Sequence, residues 1–267
     1  MKHVMLDCYG ANQNQLDDIK FINDLLNQLA FELNVNPICP PSLIPYYYGK
    51  VKDDLGISAY VLLEGGHITI HTFPIRECYF VDVFYDGEFD EKKLYDILLD
   101  ELPFNESKSF FNIKMRDENN FELLDYDPQK DFGPHLMTKI MVEKPLTMEN
   151  LFDFLEKTTT DINMDAITRA CVVKSTMKNP KYLSAIIVIA QSHIALHYNL
   201  AMQEIYADIF SCAPFDYSQV DKIYAPLGKV VSNELTARGS KHIYKVKSNI
   251  SKDDLSANMK WKNYINN

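Results

Sequence analysis

The chain has no excess of basic residues. It carries 27 lysine and arginine residues against 37 aspartate and glutamate residues, which gives a formal net charge of −10 at pH 7. Nucleic acids and anionic membrane surfaces are bound through positively charged faces. The composition therefore argues against both as the main partner.

Long apolar runs are also missing. No stretch approaches the roughly 20 residues that a membrane-spanning helix needs. The first residues, MKHVMLDCYGANQ, have no apolar core followed by a small-residue cleavage site. Hydrophobic residues make up 46% of the chain and charged residues 24%, the balance of a globular protein with one large core or two smaller ones. We expect a cytoplasmic protein.

Paired cysteines are absent as well. The five cysteines are widely spaced and form no CxxC motif: Cys8, Cys39, Cys78, Cys171 and Cys212. This spacing favours neither a disulfide framework nor a zinc site. We expect no metal centre, and any functional cysteine to act alone as a free thiol.

An internal repeat is the clearest positive feature. Residues 57–87 align without a gap with residues 183–213, at an offset of 126. Upstream, KHVML beginning at Lys2 matches PHLMT beginning at Pro134. The alignment pairs the polar residues Ser58 with Ser184, His67 with His193, His71 with His197, and Asp82 with Asp208.

Each copy has the same order of predicted elements. A strand is followed by an amphipathic helix, three strands and a second helix, with apolar residues at helical spacing in the helices and β-branched or aromatic residues in the strands. The predicted strands are 4–7, 58–63, 67–72 and 79–85 in the first copy and 137–142, 184–190, 193–198 and 206–211 in the second. The second helices are predicted at 91–99 and 221–227.

This pattern predicts an α+β fold made of two tandem copies of an antiparallel sheet with helices on one face. The two copies are expected to pack as a pseudo-symmetric pair within one chain. We expect halves at 1–125 and 133–247, joined by an acidic, turn-rich linker at 117–133 and followed by a polar tail at 248–267. Association into a homo-oligomer stays open.

The second copy places reactive side chains at strand ends. Ser192 and His193 lie at a strand-to-strand turn, His197 follows four residues after His193, and Cys212 ends the next strand. Such residues can meet at the edge of a sheet. By spacing alone the signal is weak, because a Ser-His pair in a turn is usually only a turn and a cysteine at a strand end most often fills an apolar core.

These segments resemble the bacterial S-adenosylmethionine decarboxylases. That family has a Glu-Ser-His-Leu-Thr-Ile-His-Thr-Trp-Pro-Glu stretch followed by Val-Asp-Val-Phe-Thr-Cys-Gly. The first copy, GGHITIHTFP…VDVFYDG, is more similar in the framework, and the second, QSHIALHYN…ADIFSCA, in the reactive residues. The resemblance implies a pyruvoyl-dependent decarboxylase of polyamine (spermidine) biosynthesis that acts on a small-molecule substrate and cuts its own chain before a serine.

Carried over residue by residue, the resemblance implies cleavage between Gln191 and Ser192 and a covalent pyruvoyl group derived from Ser192. The serine hydroxyl would attack the carbonyl of Gln191, and His197 would act as general base for the elimination. The ketone would form a Schiff base with the substrate amine and take up electrons as carbon dioxide leaves. Cys212 would return a proton to the product.

The first copy is expected to lack catalytic activity of its own. Gly66 stands in the place of the serine and Asp86 in the place of the cysteine, and glycine has no hydroxyl from which a pyruvoyl group could form. His71 is retained, and we expect it to be a hydrogen-bonded structural histidine.

The chain also departs from the family pattern. Gln191 replaces a glutamate, and Ile75 and Ala201 stand where the family has an acid that is expected to bind the substrate ribose. The tyrosine run Tyr46, Tyr47 and Tyr48 could offer a stacking surface to the site, or could simply cover the interface between the halves.

Three hypotheses therefore remain from the sequence. The first is an S-adenosylmethionine decarboxylase, and the second is a pyruvoyl-dependent decarboxylase of arginine or ornithine. The third is a non-catalytic family member that binds or regulates a partner.

Overall fold

A computed structural model describes residues 1–49, 51–116, 121–123 and 126–241. The first half contains β1 (Lys2–Tyr9), α1 (Gln13–Leu16), α2 (Ile19–Glu32), β2 (Ser42–Tyr46), β3 (Gly56–Leu63), β4 (Gly66–Phe73), β5 (Cys78–Tyr85), α3 (Glu91–Glu101) and β6 (Phe110–Met115). The short strand β7 (Phe121–Leu123) follows. The second half contains β8 (Gly133–Met141), α4 (Met148–Asp161), β9 (Cys171–Lys174), β10 (Tyr182–Ile189), β11 (Ser192–Asn199), β12 (Glu204–Phe210), α5 (Val220–Tyr224) and β13 (Lys229–Arg238).

The two halves have the same topology. The first sheet has the strand order β2-β3-β4-β5-β1-β6, and the second has β9-β10-β11-β12-β8-β13, with β7 added in parallel beside β13. All other strand pairs are antiparallel. The predicted duplicated α+β fold is confirmed. The domain limits stay a prediction, and the tail at 248–267 lies outside the described residues.

Strand alternation divides each sheet into two faces. In β3, Ala59, Val61 and Leu63 pack with α2 and α3 in the core of the first half, whereas Tyr60 and Leu62 meet residues of the second half. The same division in β10 and β11 gives the second half its own core under α4 and α5. Each sheet therefore has helices on one face and the other sheet on the opposite face.

Local capping explains where the helices begin and end. The side chain of Asp18 accepts hydrogen bonds from the backbone N–H groups of Lys20 and Phe21 at the start of α2. The helix predicted at 221–227 ends earlier, at Tyr224, because Pro226 and Gly228 follow at once. None of the described helices combines the length and the apolar character that crossing a membrane requires.

Five edge or near-edge strands escape the sequence prediction: β2, β6, β7, β9 and β13. β2 contains Pro45, which is tolerated at a sheet edge, and β6 exposes most of its side chains. The polar residues of β13, such as Glu234 and Arg238, do not look like core residues, yet they are buried because they pair with charged groups of the first half.

Candidate active site between the two sheets

A tight hairpin presents the predicted cleavage position. Ile189 pairs with Ser192, so Ala190 and Gln191 form a two-residue connection between β10 and β11. Gln191 has φ 54°, in the left-handed region. A residue with a side chain pays an energetic cost of about 1–2 kcal/mol there. The glutamine is nevertheless fully buried, which means that the surrounding structure holds this backbone conformation.

Ser192 lies next to Cys212. The backbone N–H of Cys212 donates to Ser192 Oγ at 2.9 Å, and the Cys212 thiol donates to the carbonyl oxygen of Ala190 at 3.3 Å. Both side chains therefore contact the hairpin that carries the Gln191–Ser192 peptide bond. The structure brings these two predicted residues together.

His197 has other partners. Along β11, Ile194 and Leu196 face the helices, whereas Ala195 faces the first sheet. Because side chains alternate along a strand, Ser192 faces the helices together with Ile194 and Leu196, and His197 faces the first sheet together with Ala195. Its Nδ1 lies 3.0 Å from Ser184 Oγ and its Nε2 lies 2.8 Å from His67 Nδ1.

The histidine that reaches the cleavage position comes from the first half. His71 Nδ1 lies 2.8 Å from Ser58 Oγ, and Ser58 is hydrogen-bonded to the side-chain amide of Gln191, 2.9 Å from its Oε1. The assignment of His197 as the base for Ser192 stays a prediction, but the hydrogen bonds connect His71, and not His197, to the side chain of Gln191. Ser58, missed by the sequence analysis as a site residue, was visible in the repeat as the partner of Ser184.

Burial sets the protonation of these groups. It lowers the pKa of His71 to about 3, so the ring is neutral near pH 7. It raises the pKa of the Cys212 thiol to about 11, with a further contribution from the charge of Asp54 and an opposing one from Arg76. A neutral imidazole can accept a proton, and a thiol that stays protonated can donate one.

Residues of the first half surround Cys212. The thiol packs against an aromatic cluster that includes Phe73 and Phe132. The guanidinium of Arg76 lies 5.6 Å from the Phe132 ring centroid and forms an ion pair with Asp54. The site is thus built from both halves.

The three predicted tyrosines do not point the same way. The rings of Tyr46 and Tyr48 meet edge to face, with centroids 4.6 Å apart. Burial raises the pKa of Tyr46, with smaller contributions from neighbouring titratable groups such as Tyr48. Tyr47 instead donates a hydrogen bond to Asp17. Substrate contact by the three tyrosines stays a prediction, and the pairing of Tyr47 with Asp17 makes Tyr46 and Tyr48 the stronger candidates.

In the first half, Tyr182 of the second half occupies the space beside the position equivalent to the cleavage site. Tyr182 donates a hydrogen bond to Asp86 and accepts one from Asn199 at 2.9 Å. A Cβ atom on Gly65 would lie 2.8 Å from the Tyr182 ring, and one on Gly66 would lie 2.0 Å from the carbonyl oxygen of Phe84. This second, degenerate site has no serine at position 66 and no room for one there.

Between the two sites lies a buried ionic centre that the sequence analysis did not predict. Arg238 pairs with Asp82, and Arg116 pairs with Asp208, each at 2.6 Å. Burial alone would raise the pKa of both carboxyl groups, but Arg238, Arg116 and the neighbouring histidines hold it well below the usual range. The two arginines lie outside the aligned repeat, so no spacing signal marked them.

Three groups of this centre could reach one metal ion: His3, His135 and Asp208. However, Arg238 Nη1 lies 2.9 Å from His135 Nδ1. Arginine can only donate, so the proton of a neutral His135 is on Nε2, the atom that faces Asp208 at 3.5 Å. The arrangement is that of a hydrogen-bonded ion-pair network rather than of a ligand set.

Comparison with known proteins agrees with this two-part arrangement. The family model described as S-adenosylmethionine decarboxylase matches residues 2–111 and 142–227, one segment in each half. The chain belongs to the S-adenosylmethionine decarboxylase family. The activity for which this family is named is that of a carboxy-lyase.

Two relatives are named S-adenosylmethionine decarboxylase proenzyme. The protein of Clostridium botulinum (strain Loch Maree / Type A3) is 27% identical over 107 residues, which cover 40% of this chain and 86% of the relative. That of Thermoanaerobacter sp. (strain X514) is 30% identical over 87 residues, covering 33% and 64%. The crystal structure of the adenosylmethionine decarboxylase from Aquifex aeolicus VF5 aligns with a TM-score of 0.35 and 25% identity, covering 45% of this chain and 95% of that chain.

Proposed function

We propose that this chain is a pyruvoyl-dependent S-adenosylmethionine decarboxylase that cleaves itself between Gln191 and Ser192. The observation that carries the proposal is the meeting of the two halves at this peptide bond. Cys212 contacts Ser192 from the same half, and the Ser58–His71 pair reaches Gln191 from the other half. The family membership supports the same reaction class.

The residues present fit a pyruvoyl group. Ser192 supplies the hydroxyl and lies fully buried, where the group would be protected from water. The preceding Gln191 has the left-handed backbone of the hairpin, and relief of this strain favours breaking the bond that follows it. When formed, the group supplies a ketone that takes up the electrons released as carbon dioxide leaves.

Self-cleavage would use the chain's own side chains. Ser192 Oγ forms a bond to the carbonyl carbon of Gln191, the carbon–nitrogen bond breaks, and the hydroxyl proton passes to the nitrogen. His71 then takes the α-proton of residue 192, the Cβ–O bond breaks, and Gln191 leaves as a carboxylate. Addition of water and loss of ammonia leave the pyruvoyl group on the new amino terminus.

Other residues would act on the substrate. The Cys212 thiol, whose pKa is raised to about 11, stays protonated and can give its proton to the product carbon. Tyr46 and Tyr48 would stack on an aromatic part of the substrate. We propose S-adenosylmethionine as that substrate and polyamine synthesis in the cytoplasm as the setting.

One observation favours a second candidate. Ile75 is half-exposed and has no group that could bind a ribose, whereas the next residue, Arg76, lies with Asp54 close to Cys212. A substrate without a ribose, such as arginine or ornithine, would not need the missing acid. The non-catalytic alternative is kept as the outcome in which no cleavage occurs.

Mass spectrometry under denaturing conditions tests the proposal. Cleavage would give fragments of 191 and 76 residues, the smaller one blocked by pyruvate. Carbon dioxide release from labelled S-adenosylmethionine, arginine and ornithine then decides the substrate. A chain that stays intact under all conditions would exclude both decarboxylases.

A further inference from the structure

His71 lies inside a row of four hydrogen-bonded residues, which runs from Gln191 through Ser58 and His71 to His193. Its Nδ1 faces Ser58 and the Gln191 side chain, and its Nε2 lies 2.9 Å from His193 Nδ1. The planes of the two imidazole rings are only 11° apart and their centroids are 5.2 Å apart. A nitrogen–nitrogen distance of this length between nearly parallel rings is a hydrogen bond that contains one proton.

The position of that proton decides what His71 can do. A neutral imidazole has a single N–H group. If the N–H is on Nε2 and points to His193, Nδ1 keeps its lone pair on the side of the cleavage position. If the N–H is on Nδ1, the ring cannot take a proton there.

We propose that His193 is a positioning residue, which holds the proton of His71 on Nε2 and leaves Nδ1 free to act as a base. The inference rests on the proposed function, in which His71 takes the α-proton of residue 192. It adds a role for the residue that directly follows the pyruvoyl-forming serine. His193 itself is fully buried and contacts no solvent.

The other end of the row favours this orientation. In one orientation of its amide, Gln191 leaves its buried Nε2 without a hydrogen-bond partner. With the amide turned by 180°, Nε2 donates to Ser58, and the Ser58 hydroxyl donates to His71 Nδ1. The unpaired group is then a carbonyl oxygen, which proteins tolerate better than an unpaired N–H.

The titratable groups around His193 act in opposite directions on its affinity for a proton. The titratable groups that influence it are His71 and His67 on β4, Asp82 on β5 and His135 on β8. Among these only Asp82 is anionic, and it raises the affinity of His193 for a proton. With the proton of His71 on Nε2, Nδ1 of His193 accepts it, and the N–H of His193 is on its own Nε2, which is buried without a hydrogen-bond partner among the described residues.

The pseudo-symmetry supplies a matched control. His67 is the counterpart of His193, and its Nδ1 lies 2.8 Å from Nε2 of His197, whose other nitrogen meets Ser184. The two pairs are equally buried. Only the His71–His193 pair is connected to Gln191, so a general effect of removing a buried histidine is measured by His67→Leu.

Nitrogen-15 NMR of the histidine rings tests the orientation without any activity. In a Ser192→Ala chain, which cannot be processed, His71 should carry its proton on Nε2. Adding His193→Leu should move the proton to Nδ1 or leave a mixture. A proton on Nδ1 of His71 before the change, or no difference after it, would overturn the inference.

Processing kinetics give the second readout. His193→Leu should slow cleavage before Ser192 about 100-fold, the range of a lost acid–base contribution, whereas His193→Asn keeps an acceptor near the Nδ1 position and should retain most of the rate. His67→Leu should not change it. Equal slowing by His193→Leu and His67→Leu would reduce His193 to a packing role and overturn the inference. If the unmodified chain is never cleaved, the proposed function fails while the NMR result still decides the position of the proton.

Discussion

Arg116 Nη1 lies 2.6 Å from Asp208 Oδ1, so a buried cation of the first half is paired with a buried anion of the second. Arg116 also donates to the carbonyl oxygens of Thr138 and Ala207. The ion pair and these bonds connect the end of β6 to β8 and β12. Charge pairing is therefore part of what holds the two sheets together.

Removing one partner should destabilise the protein strongly. Arg116→Met leaves Asp208 buried without its main counter-charge, and we expect the free energy of unfolding to fall by about 3–5 kcal/mol. The double variant Arg116→Met/Asp208→Asn should recover part of the loss. Urea unfolding measures both, with Lys92→Met, in an exposed pair on α3, as a control that should be near neutral. Equal stability of Arg116→Met and the native chain would contradict the structure.

The protein should lose stability as the pH falls below about 6.5. Burial lowers the pKa of five histidines from their ordinary value of 6.5: His3, His67, His71, His193 and His197. In this window the unfolded chain binds protons that the folded chain does not, so stability rises with pH by about 1.4 kcal/mol per pH unit for each fully affected histidine.

Unfolding in urea at pH 7.5, 6.5 and 5.5 checks this slope. The lowered pKa values of Asp82 and Asp208 act only near and below the ordinary value of 3.8, where protonation removes their contribution. These two carboxyl groups therefore do not contribute to the change in stability between pH 5.5 and pH 7.5. A stability that is flat between pH 7.5 and 5.5 would mean that these histidines are not buried as neutral rings.

Cleavage should depend on His71 rather than on His197. His71→Asn and Ser58→Ala should each slow the appearance of the 191-residue fragment, because they break the row that reaches Gln191, whereas Ser192→Ala should abolish it. His197→Asn is the matched control, since it alters the equivalent pair at the degenerate site. A rate lost with His197→Asn and kept with His71→Asn would restore the assignment that the sequence suggested.

Restoring the two missing side chains of the degenerate site should not make the chain cleave there. Gly66→Ser with Asp86→Cys restores the two missing side chains, yet a Cβ at position 66 would collide with the backbone of Phe84. We expect lower stability and no cleavage after Gly65, measured by thermal unfolding and mass spectrometry. A fragment that ends at Gly65 would show that the strands can move apart.

Substitutions of the neighbouring residues Tyr46 and Tyr47 should differ in their effect on KM. Tyr46→Leu removes a ring proposed to stack on the substrate, and loss of a stacking contact of about 0.5–1.5 kcal/mol should raise KM about twofold to twelvefold. Tyr47→Phe removes only the hydroxyl that bonds to Asp17 and should leave KM unchanged. Steady-state kinetics on the processed enzyme give both values, and equal effects would place neither ring in the site.

The sequence predicted the elements that carry the repeat. The 57–87 and 183–213 segments correspond to the central strands of the two sheets, because burial on both faces leaves a strong apolar pattern there. The polar strand β13 and the arginines Arg116 and Arg238 were not predicted, since their burial depends on partners in the other half. The contact of Ser58 and His71 with Gln191 was not predicted for the same reason: proximity along β11 does not tell which residues of the other half meet Gln191.

The meeting of Ser58 and His71 with Gln191 takes place within a single polypeptide. If these groups belonged to separate chains, the fraction of complete sites would fall as the protein is diluted. Here the connection between the halves fixes their effective concentration, so the rate of self-cleavage per molecule should be first-order and independent of protein concentration.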